Sequence, residues 1–162
     1  MRVGLISDTH GHLRPEVFDR FAGVDHILHA GDVGPPTVLA DLAGLAPVSA
    51  VWGNTDGWDV RALTTETLVV ELSSVRFGVA HGHTVAGFDH LPGLFDRPDV
   101  IVHGHSHVPR ADAEGGILVV NPGSAGPGGE GWPPTIAVAE ISPDHSVAIV
   151  HLEVASGRIL HP

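Results

Sequence analysis

Five apolar runs in this sequence each end in a short cluster that contains histidine, aspartate or asparagine. An apolar run of this length between turn residues predicts a buried strand. Strands that end in such side chains would bring them together along one edge of a sheet, and imidazole with carboxylate is the ligand set of a transition-metal site. The clusters are Asp8-Thr9-His10, Gly31-Asp32, Gly53-Asn54-Thr55-Asp56, His81-Gly82-His83 and Gly104-His105-Ser106-His107.

Spacing inside the clusters predicts which side chains share an ion. Asp8 and His10 are two residues apart, as are His105 and His107. Residues i and i+2 of an extended strand point the same way, so each pair is predicted to reach one ion. The carboxylate of Asp32 has two oxygens and can therefore bridge two ions.

Asn54 and His81 complete the predicted ligands. Asn54 offers a neutral carbonyl oxygen, which suits a site that also holds an anionic substrate. When the bridge is counted for both ions, the seven ligands give four contacts per ion and leave positions for water and substrate, as a catalytic site requires. Two ions about 3.5–4 Å apart can clamp a phosphoryl group and turn a shared water into an attacking hydroxide, so no nucleophilic side chain is needed.

The first third of the chain alternates predicted strands and helices, which is typical of parallel strands joined by crossovers. Strands are predicted at residues 3–7, 25–29 and 48–52, with helices at 13–22 and 35–43.

The rest of the chain predicts short strands in antiparallel hairpins, one short helix at 91–95 and a long loop at 121–134. We expect a single domain over residues 1–162, with two sheets packed face to face and helices outside. The later strands are predicted at 67–72, 75–80, 99–103, 110–113, 117–120, 135–141 and 147–153.

Nineteen acidic residues against eight basic ones give the chain a net charge of −11. This balance argues against a nucleic acid or an anionic membrane as the main partner. A small phosphate ester stays compatible, because bound cations can reverse the local field. Cysteine is absent, which excludes a thiol nucleophile and a thiolate zinc site. The first apolar run is too short for a signal peptide, and no run approaches a membrane span, so we expect the cytoplasm.

The five ordered motifs resemble the calcineurin-like metallophosphoesterases, above all their compact bacterial and archaeal phosphodiesterase branch. The likeness covers residues 3 to about 141, with residues 6–11 and 121–124 also similar to that branch. It implies an α+β fold, a four-layer α/β/β/α sandwich of two mixed sheets with flanking helices. It also implies two divalent ions, often manganese, although nitrogen and oxygen ligands suit iron, zinc, cobalt and nickel as well. By this resemblance one ion takes Asp8, His10 and His107, the other takes Asn54, His81 and His105, and Asp32 bridges them.

One position departs from the wider family. Many members carry a histidine after the asparagine of the third motif, where it protonates the leaving group, and this chain has Thr55, as the compact branch tends to lack that histidine too. A threonine hydroxyl is a poor acid at neutral pH, so His83 or a metal-bound water would supply the proton, or the leaving group would need none. General acid catalysis contributes roughly 10²–10⁴-fold. We therefore expect weak activity on alkyl monoesters.

Two further features allow two interpretations each. Asp56 is predicted either to anchor the imidazole of His10 or His107, as metal-bound imidazoles usually require, or to form a turn before Gly57. Residues 121–124 either present backbone amides to the site or position residues 105–107, and we favour the second.

Together these features predict a metal-dependent phosphodiesterase that acts on small phosphodiesters, with Asn54, His83 and Asp56 in catalytic roles. One alternative is a non-catalytic, metal-binding scaffold for protein interactions, since a relative of this fold is a subunit of the retromer coat. Another is a mononuclear hydrolase of a different ester. A competent residue at every ligand position favours the enzyme. The substrate, the native metal and the oligomeric state stay open.

Overall fold

Two β-sheets packed face to face form the centre of the fold. The computed structural model describes the backbone of residues 1–162 and every side chain except that of Glu114. The strands, in chain order, are β1 Arg2–Ile6, β2 His26–Ala30, β3 Val48–Val51, β4 Thr67–Leu72, β5 Val75–Ala80, β6 Val100–Val102, β7 Arg110–Glu114, β8 Ile117–Asn121, β9 Thr135–Ile141, β10 Val147–Glu153 and β11 Ile159–Leu160.

Both sheets are mixed, as expected. The first has the order β11-β10-β9-β1-β2-β3, in which β1, β2 and β3 are parallel and β9 is antiparallel to both β1 and β10. The second has the order β4-β5-β6-β8-β7, with β5, β6 and β8 parallel and an antiparallel strand at each edge. Each sheet therefore has a parallel centre, whose strands all end on the same side.

The helices cover the outer faces of the sheets. They are α1 Glu16–Arg20, α2 Thr37–Ala43, α3 Trp58–Arg61 and a 3-10 helix over Phe88–Leu94. The helix predicted at 13–22 is thus much shorter than expected, and the one predicted at 91–95 is a 3-10 helix that begins earlier. Neither α3 nor β11 was predicted, because segments this short carry no readable period. None of the helices in the described part of the chain has the length and apolarity to span a bilayer.

Three apolar clusters hold these layers together. The central one joins the inner faces of the two sheets and includes Leu5, Leu28 and Phe77, all fully buried. A second packs the outer face of the first sheet against α1 and α2, and a third packs the second sheet against the 3-10 helix around Leu91. These clusters fix the two sheets against each other and so fix the relative positions of their strand ends.

Candidate metal centre

The predicted clusters follow five parallel strands, but these strands belong to two sheets. Asp8 and His10 follow β1, Asp32 follows β2 and Asn54 follows β3, all in the first sheet, while His81 follows β5 and His105 and His107 follow β6 in the second. The expectation of a single sheet edge was therefore wrong in detail. The two edges meet where the backbone N–H of His105 donates to the Asp8 carboxylate, at 3.2 and 3.3 Å from its two oxygens.

One group of ligand atoms gathers Asp8, His10 and His107. The Nε2 atoms of His10 and His107 lie 3.3 Å apart, and Asp8 Oδ1 lies 3.2 Å from His107 Nε2 and 4.0 Å from His10 Nε2. Two imidazole nitrogens and a carboxylate oxygen that converge so closely can hold a cation.

A second group forms around His81. Its Nε2 atom faces three oxygens, at 3.1 Å from Asn54 Oδ1, 3.4 Å from Asp32 Oδ2 and 3.9 Å from Asp8 Oδ1. The ligand atoms of Asp8, Asp32 and His81 converge closely enough to hold a cation, and these donors suit a divalent transition metal.

Asp32 lies between the two groups. Its Oδ1 accepts the backbone N–H of Thr55 at 2.9 Å, while its Oδ2 lies 3.4 Å from His81 Nε2 and 3.8 Å from His10 Nε2. The carboxylate is thus held by one oxygen and presents the other to both groups.

Hydrogen bonds orient two of the imidazoles for metal binding. The Nδ1 atom of His81 lies 2.8 Å from the carbonyl of Ala30, and that of His107 lies 3.2 Å from the carbonyl of Gly128. A carbonyl can only accept, so each Nδ1 carries a proton, and Nε2 is the nitrogen left to bind a metal when it is deprotonated. This arrangement fits a metal centre.

The depth of the ligands gives the site a buried floor and an open rim. Asp8, Asp32 and His81 are buried, His10 and His107 are half-buried, and the rim residues Asn54 and His105 are exposed. The His105 ring lies 5.2 Å from the His81 ring. A floor of this kind fixes the ligands, while the rim leaves room for a substrate.

Without a metal, the carboxylates act on the imidazoles. The Asp8 carboxylate accepts from His107 and raises the pKa of that imidazole. Burial lowers the pKa of His81, but Asp32 and Asp8 outweigh it and the net shift is upward. For Asp32 burial opposes the bonds from His81 and Thr55, and those bonds lower the pKa of the carboxyl well below its usual range. The cluster therefore favours positive charge.

The backbone at the ligands differs from the prediction of extended i, i+2 pairs. The left-handed φ angles are 51° at Asp8, 46° at His10, 51° at Asp32, 69° at His105 and 58° at His107. Turns that follow the strands, and not the strands themselves, bring Asp8 and His10 together. The prediction that His105 and His107 reach one ion was wrong, because His107 joins Asp8 and His10 while the His105 ring lies beside His81. Such backbone costs of order 1–3 kcal/mol per residue and is concentrated at functional sites.

Two glycines allow the ligand loops to approach each other. A Cβ atom at Gly53 would overlap Asp32 Oδ1, and one at Gly104 would lie 2.6 Å from Asp8 Oδ2. Any larger residue at either position would displace a carboxylate of the site.

Asp56 ties two ligand loops together through their backbones. Its Oδ1 accepts the N–H of Gly34 at 2.9 Å and its Oδ2 accepts the N–H of Gly53 at 2.8 Å. The carboxylate thus binds backbone amides instead of the imidazole of His10 or His107, which is closer to the turn-forming interpretation.

His83 stands at the edge of the site in a stack of side chains. Its ring lies 5.3 Å from the His81 ring and 5.2 Å from the Trp52 ring, and the Arg61 guanidinium lies over the Trp52 ring, 4.2 Å from its centre. No partner among the described residues reaches its buried Nδ1. No sequence pattern pointed to Arg61, because a stacking contact between separate elements leaves no local signal.

Asn121 holds the loop that carries His105 and His107. Its side-chain amide donates to the Gly104 carbonyl at 2.9 Å and contacts Ser106 Oγ at 3.0 Å, and its Oδ1 accepts the N–H of Gly123 at 2.8 Å. These bonds confirm that residues 121–124 position residues 105–107.

Three further histidines lie buried near the site without joining it. His29 bonds Thr9 Oγ1 at 3.0 Å, His103 bonds the Gly104 carbonyl at 3.1 Å and His151 bonds the Asn121 carbonyl at 2.8 Å. Burial lowers the pKa of both His29 and His103 to about 4. They are therefore neutral groups that support the ligand loops from below.

Comparison with curated proteins finds relatives named as phosphoesterases. The chain is 37% identical over 133 residues to a probable metallophosphoesterase of Methanothermobacter thermautotrophicus, covering 76% of this chain and 77% of that protein. It is 34% identical over 149 residues to phosphodiesterase YfcE of Escherichia coli, covering 76% of this chain and 79% of YfcE.

Comparison with solved structures finds the same fold. The YfcE structure, described as that of a phosphoesterase, superposes with a TM-score of 0.78 at 28% identity and covers 99% of this chain and 97% of its own. Vps29 of Entamoeba histolytica in complex with Zn²⁺ superposes with a TM-score of 0.79 at 27% identity, covering 99% and 96%.

The family model of the calcineurin-like phosphoesterase superfamily domain matches residues 1–144, which include every predicted ligand. The chain therefore belongs to the calcineurin-like phosphoesterase superfamily.

Proposed function

We propose that this protein is a dinuclear metal-dependent phosphodiesterase that hydrolyses small phosphodiesters. The observation that carries the proposal is the convergence of ligand atoms from both sheets into two groups that share Asp8 and face one oxygen of Asp32. The relatives named as phosphodiesterases support the same reaction class.

The distances around the site support two ligand sets. His10, His107 and Asp8 would hold one ion, His81 and Asn54 would hold the other, and Asp32 would be shared between them. His105, whose ring lies beside His81, would join the second set. Two divalent ions bound there would supply Lewis-acid polarisation of the phosphoryl oxygens and lower the pKa of water. Manganese is the proposed metal, and zinc, iron, cobalt and nickel suit the same donors.

The chain's own residues would then orient the ester. Asn54 on the exposed rim adds no negative charge beside an anionic phosphate. Asp56 keeps the Asn54 loop against the Asp32 loop through Gly53 and Gly34. This arrangement would keep the phosphate between the two groups of ligands.

His83 is the proposed proton donor to the leaving group. It lies beside His81 and His105, with ring distances of 5.3 and 6.4 Å, and is half-buried against Trp52. Thr55 is a poor candidate, because its backbone N–H is bound to Asp32 and its hydroxyl is a weak acid.

A scaffold role is the second candidate, because Vps29 structures superpose with this chain along almost its whole length. A competent residue at every proposed ligand position, together with the relatives named as phosphodiesterases, favours the enzyme.

The test is an assay of metal-stripped protein on bis(4-nitrophenyl) phosphate and on 4-nitrophenyl phosphate while Mn²⁺ is titrated in. We expect metal-dependent cleavage with the diester preferred, and loss of that cleavage in Asp32→Ala. Asp41→Ala, an exposed aspartate on α2, is the matched control and should behave as wild type.

Two outcomes would contradict the proposal. Stoichiometric metal binding without turnover by any divalent ion would favour the scaffold. Turnover that prefers the monoester would refute the diesterase assignment.

A further inference from the structure

A small pocket opens directly beside the candidate metal centre. It has a volume of about 240 Å³ and lies between the ligand His105 and residues 82–88, the loop and the start of the 3-10 helix that follow β5. Pockets that enclose whole drug-sized ligands measure about 300–1,000 Å³. This pocket is therefore sized for one group of a substrate.

The apolar part of the pocket is built into the core. Val85 and Phe88 are half-buried and pack against the apolar cluster around Leu91. The Phe88 ring lies over the buried His103 ring, with centroids 4.6 Å apart and an interplanar angle of 32°. This packing means that the wall exists before a ligand arrives and that it includes an aromatic ring.

The residues that line the pocket carry no carboxylate, ammonium or guanidinium group. Two imidazoles, of His83 and His105, are its polar side chains. A second phosphate or a carboxylate would find no cationic side chain of the protein there, whereas an uncharged ring would find both apolar side chains and imidazole rings in the lining.

We propose that this pocket binds the leaving group of the phosphodiester and selects a flat, uncharged aryl or heterocyclic alcohol about one ring in size. The inference rests on the proposed phosphodiesterase function. His105, a proposed metal ligand, and His83, the proposed proton donor, both line the pocket. A group seated there would thus lie between the bound phosphate and the residue that protonates it.

The test uses a change in pocket volume at one exposed residue. Ala86 lines the pocket and is exposed, so Ala86→Trp fills the space without disturbing the core, and Ala86→Leu fills it in part. The matched control is Ala43→Trp, which places the same side chain on an exposed alanine in a different groove, beside α2 and β3. The substrate is methyl 4-nitrophenyl phosphate with Mn²⁺, in which only the aryl group leaves at a measurable rate.

We expect Ala86→Trp to lower kcat/KM by roughly tenfold or more, with Ala86→Leu in between. Ala43→Trp should stay within about twofold of wild type, as a surface change away from the site does. All variants should bind the same amount of metal. Phenylphosphonate should inhibit wild type better than methylphosphonate, and Ala86→Trp should abolish that difference.

Three results would overturn the inference. If wild type is active and Ala86→Trp keeps the wild-type rate, the proposed role of the pocket is refuted while the phosphodiesterase function stands. A loss confined to bis(4-nitrophenyl) phosphate would mean that the pocket binds the retained ester group instead. Absence of turnover by metal-loaded wild type would refute the phosphodiesterase function and this inference with it.

Discussion

The histidines of the metal centre and the histidines beneath it lie close together in sequence and in space but in opposite electrostatic surroundings. His81 and His107 face carboxylates, which raise the pKa of each imidazole. His29 and His103 are enclosed by the fold, and burial lowers the pKa of each to about 4. The histidines that face carboxylates therefore favour positive charge, whereas the buried histidines next to them stay neutral.

The buried histidines help to hold a site whose rim is open to solvent. The charged shell, which includes His81 and His107, supplies candidate ligands. The neutral shell, which consists of His29, His103 and His151, bonds the backbone and side chains of the segments that hold those ligands in place. His29 bonds Thr9, between the ligands Asp8 and His10, and Thr9 in turn donates to the Val33 carbonyl at 2.8 Å. The neutral histidines therefore act as supports, and their replacement should affect stability before it affects chemistry.

The largest expected effect comes from exchanging one histidine in each shell. His81→Gln should lower kcat/KM by roughly 10³-fold or more, because the nitrogen that faces Asn54, Asp32 and Asp8 is lost. His151→Gln should leave kcat/KM within about threefold and cost about 1–3 kcal/mol of stability through its bond to the Asn121 carbonyl. Steady-state kinetics and urea unfolding give both values. Equal losses of activity in the two variants would show that the two groups of histidines do not differ in function.

The sequence predicted the strands well where turn residues bound them. The ranges 67–72 and 75–80 are confirmed to the residue, because Ser73 and Ser74 form the tight turn between them with φ of 51° and 66°. The helix predicted at 13–22 was too long, because apolar spacing at helical intervals continues beyond the segment that keeps helical hydrogen bonds.

The site was predicted in its residues but not in its geometry. Identity and order of the clusters were enough to select Asp8, Asp32 and His81, which do converge. The left-handed turns, the amide bonds of Asp56 and the stack of Arg61 on Trp52 depend on contacts between distant segments. Local spacing does not encode such contacts.

The next effect tests the proposed role of His83. His83→Gln should lower kcat/KM by roughly 10²-fold or more on diesters with phenyl leaving groups, which need a proton, and only slightly on those with 4-nitrophenyl groups. The measurement is the slope of log kcat/KM against leaving-group pKa, which should steepen. His90→Gln, an exposed histidine on the 3-10 helix, is the matched control. A uniform loss across leaving groups would assign His83 a structural role.

A smaller effect is expected from the support of the His105 loop. Asn121→Ala should cost about 1–3 kcal/mol of unfolding free energy, because it leaves the Gly123 N–H unpaired and removes one of the donors to the Gly104 carbonyl. Metal affinity should fall by roughly 10–100-fold. Ser106→Ala removes only one of the hydrogen-bond partners of Asn121, so its cost in unfolding free energy should be smaller. Urea unfolding with a chelator and metal titration separate the two effects, and unchanged affinity would contradict the positioning role.

The last effect is a pH dependence of stability from the neutral shell. The pKa of His29 is about 4 in the folded protein, against an ordinary value of 6.5 for a free imidazole. Between these values the unfolded chain binds more protons, so the stability is fully present above the ordinary pKa and is lost as the pH falls toward the folded one. The contribution has a limiting slope of about 1.4 kcal/mol per pH unit.

His29→Gln should remove this contribution while keeping a side chain that can bond Thr9. The measurement is urea unfolding of metal-free wild type and variant between about pH 4.5 and 7.5, a window that spans most of the titration. As the pH falls, the unfolding free energy of wild type should decrease more than that of the variant. A difference that stays constant over this range would show that His29 does not titrate on unfolding.

The hydrogen bond from the His105 backbone to the Asp8 carboxylate joins residues that are 97 positions apart in the chain. Asp8 follows a strand of the first sheet, and His105 follows a strand of the second. No short stretch of the chain contains all the residues of either candidate ligand group, so neither group can form until distant segments of the chain have come together. Metal uptake should therefore report completed folding: during refolding, the signal of a bound metal should rise no earlier than the docking of the two sheets. An ion that binds only this final state would also add to its stability according to its free concentration.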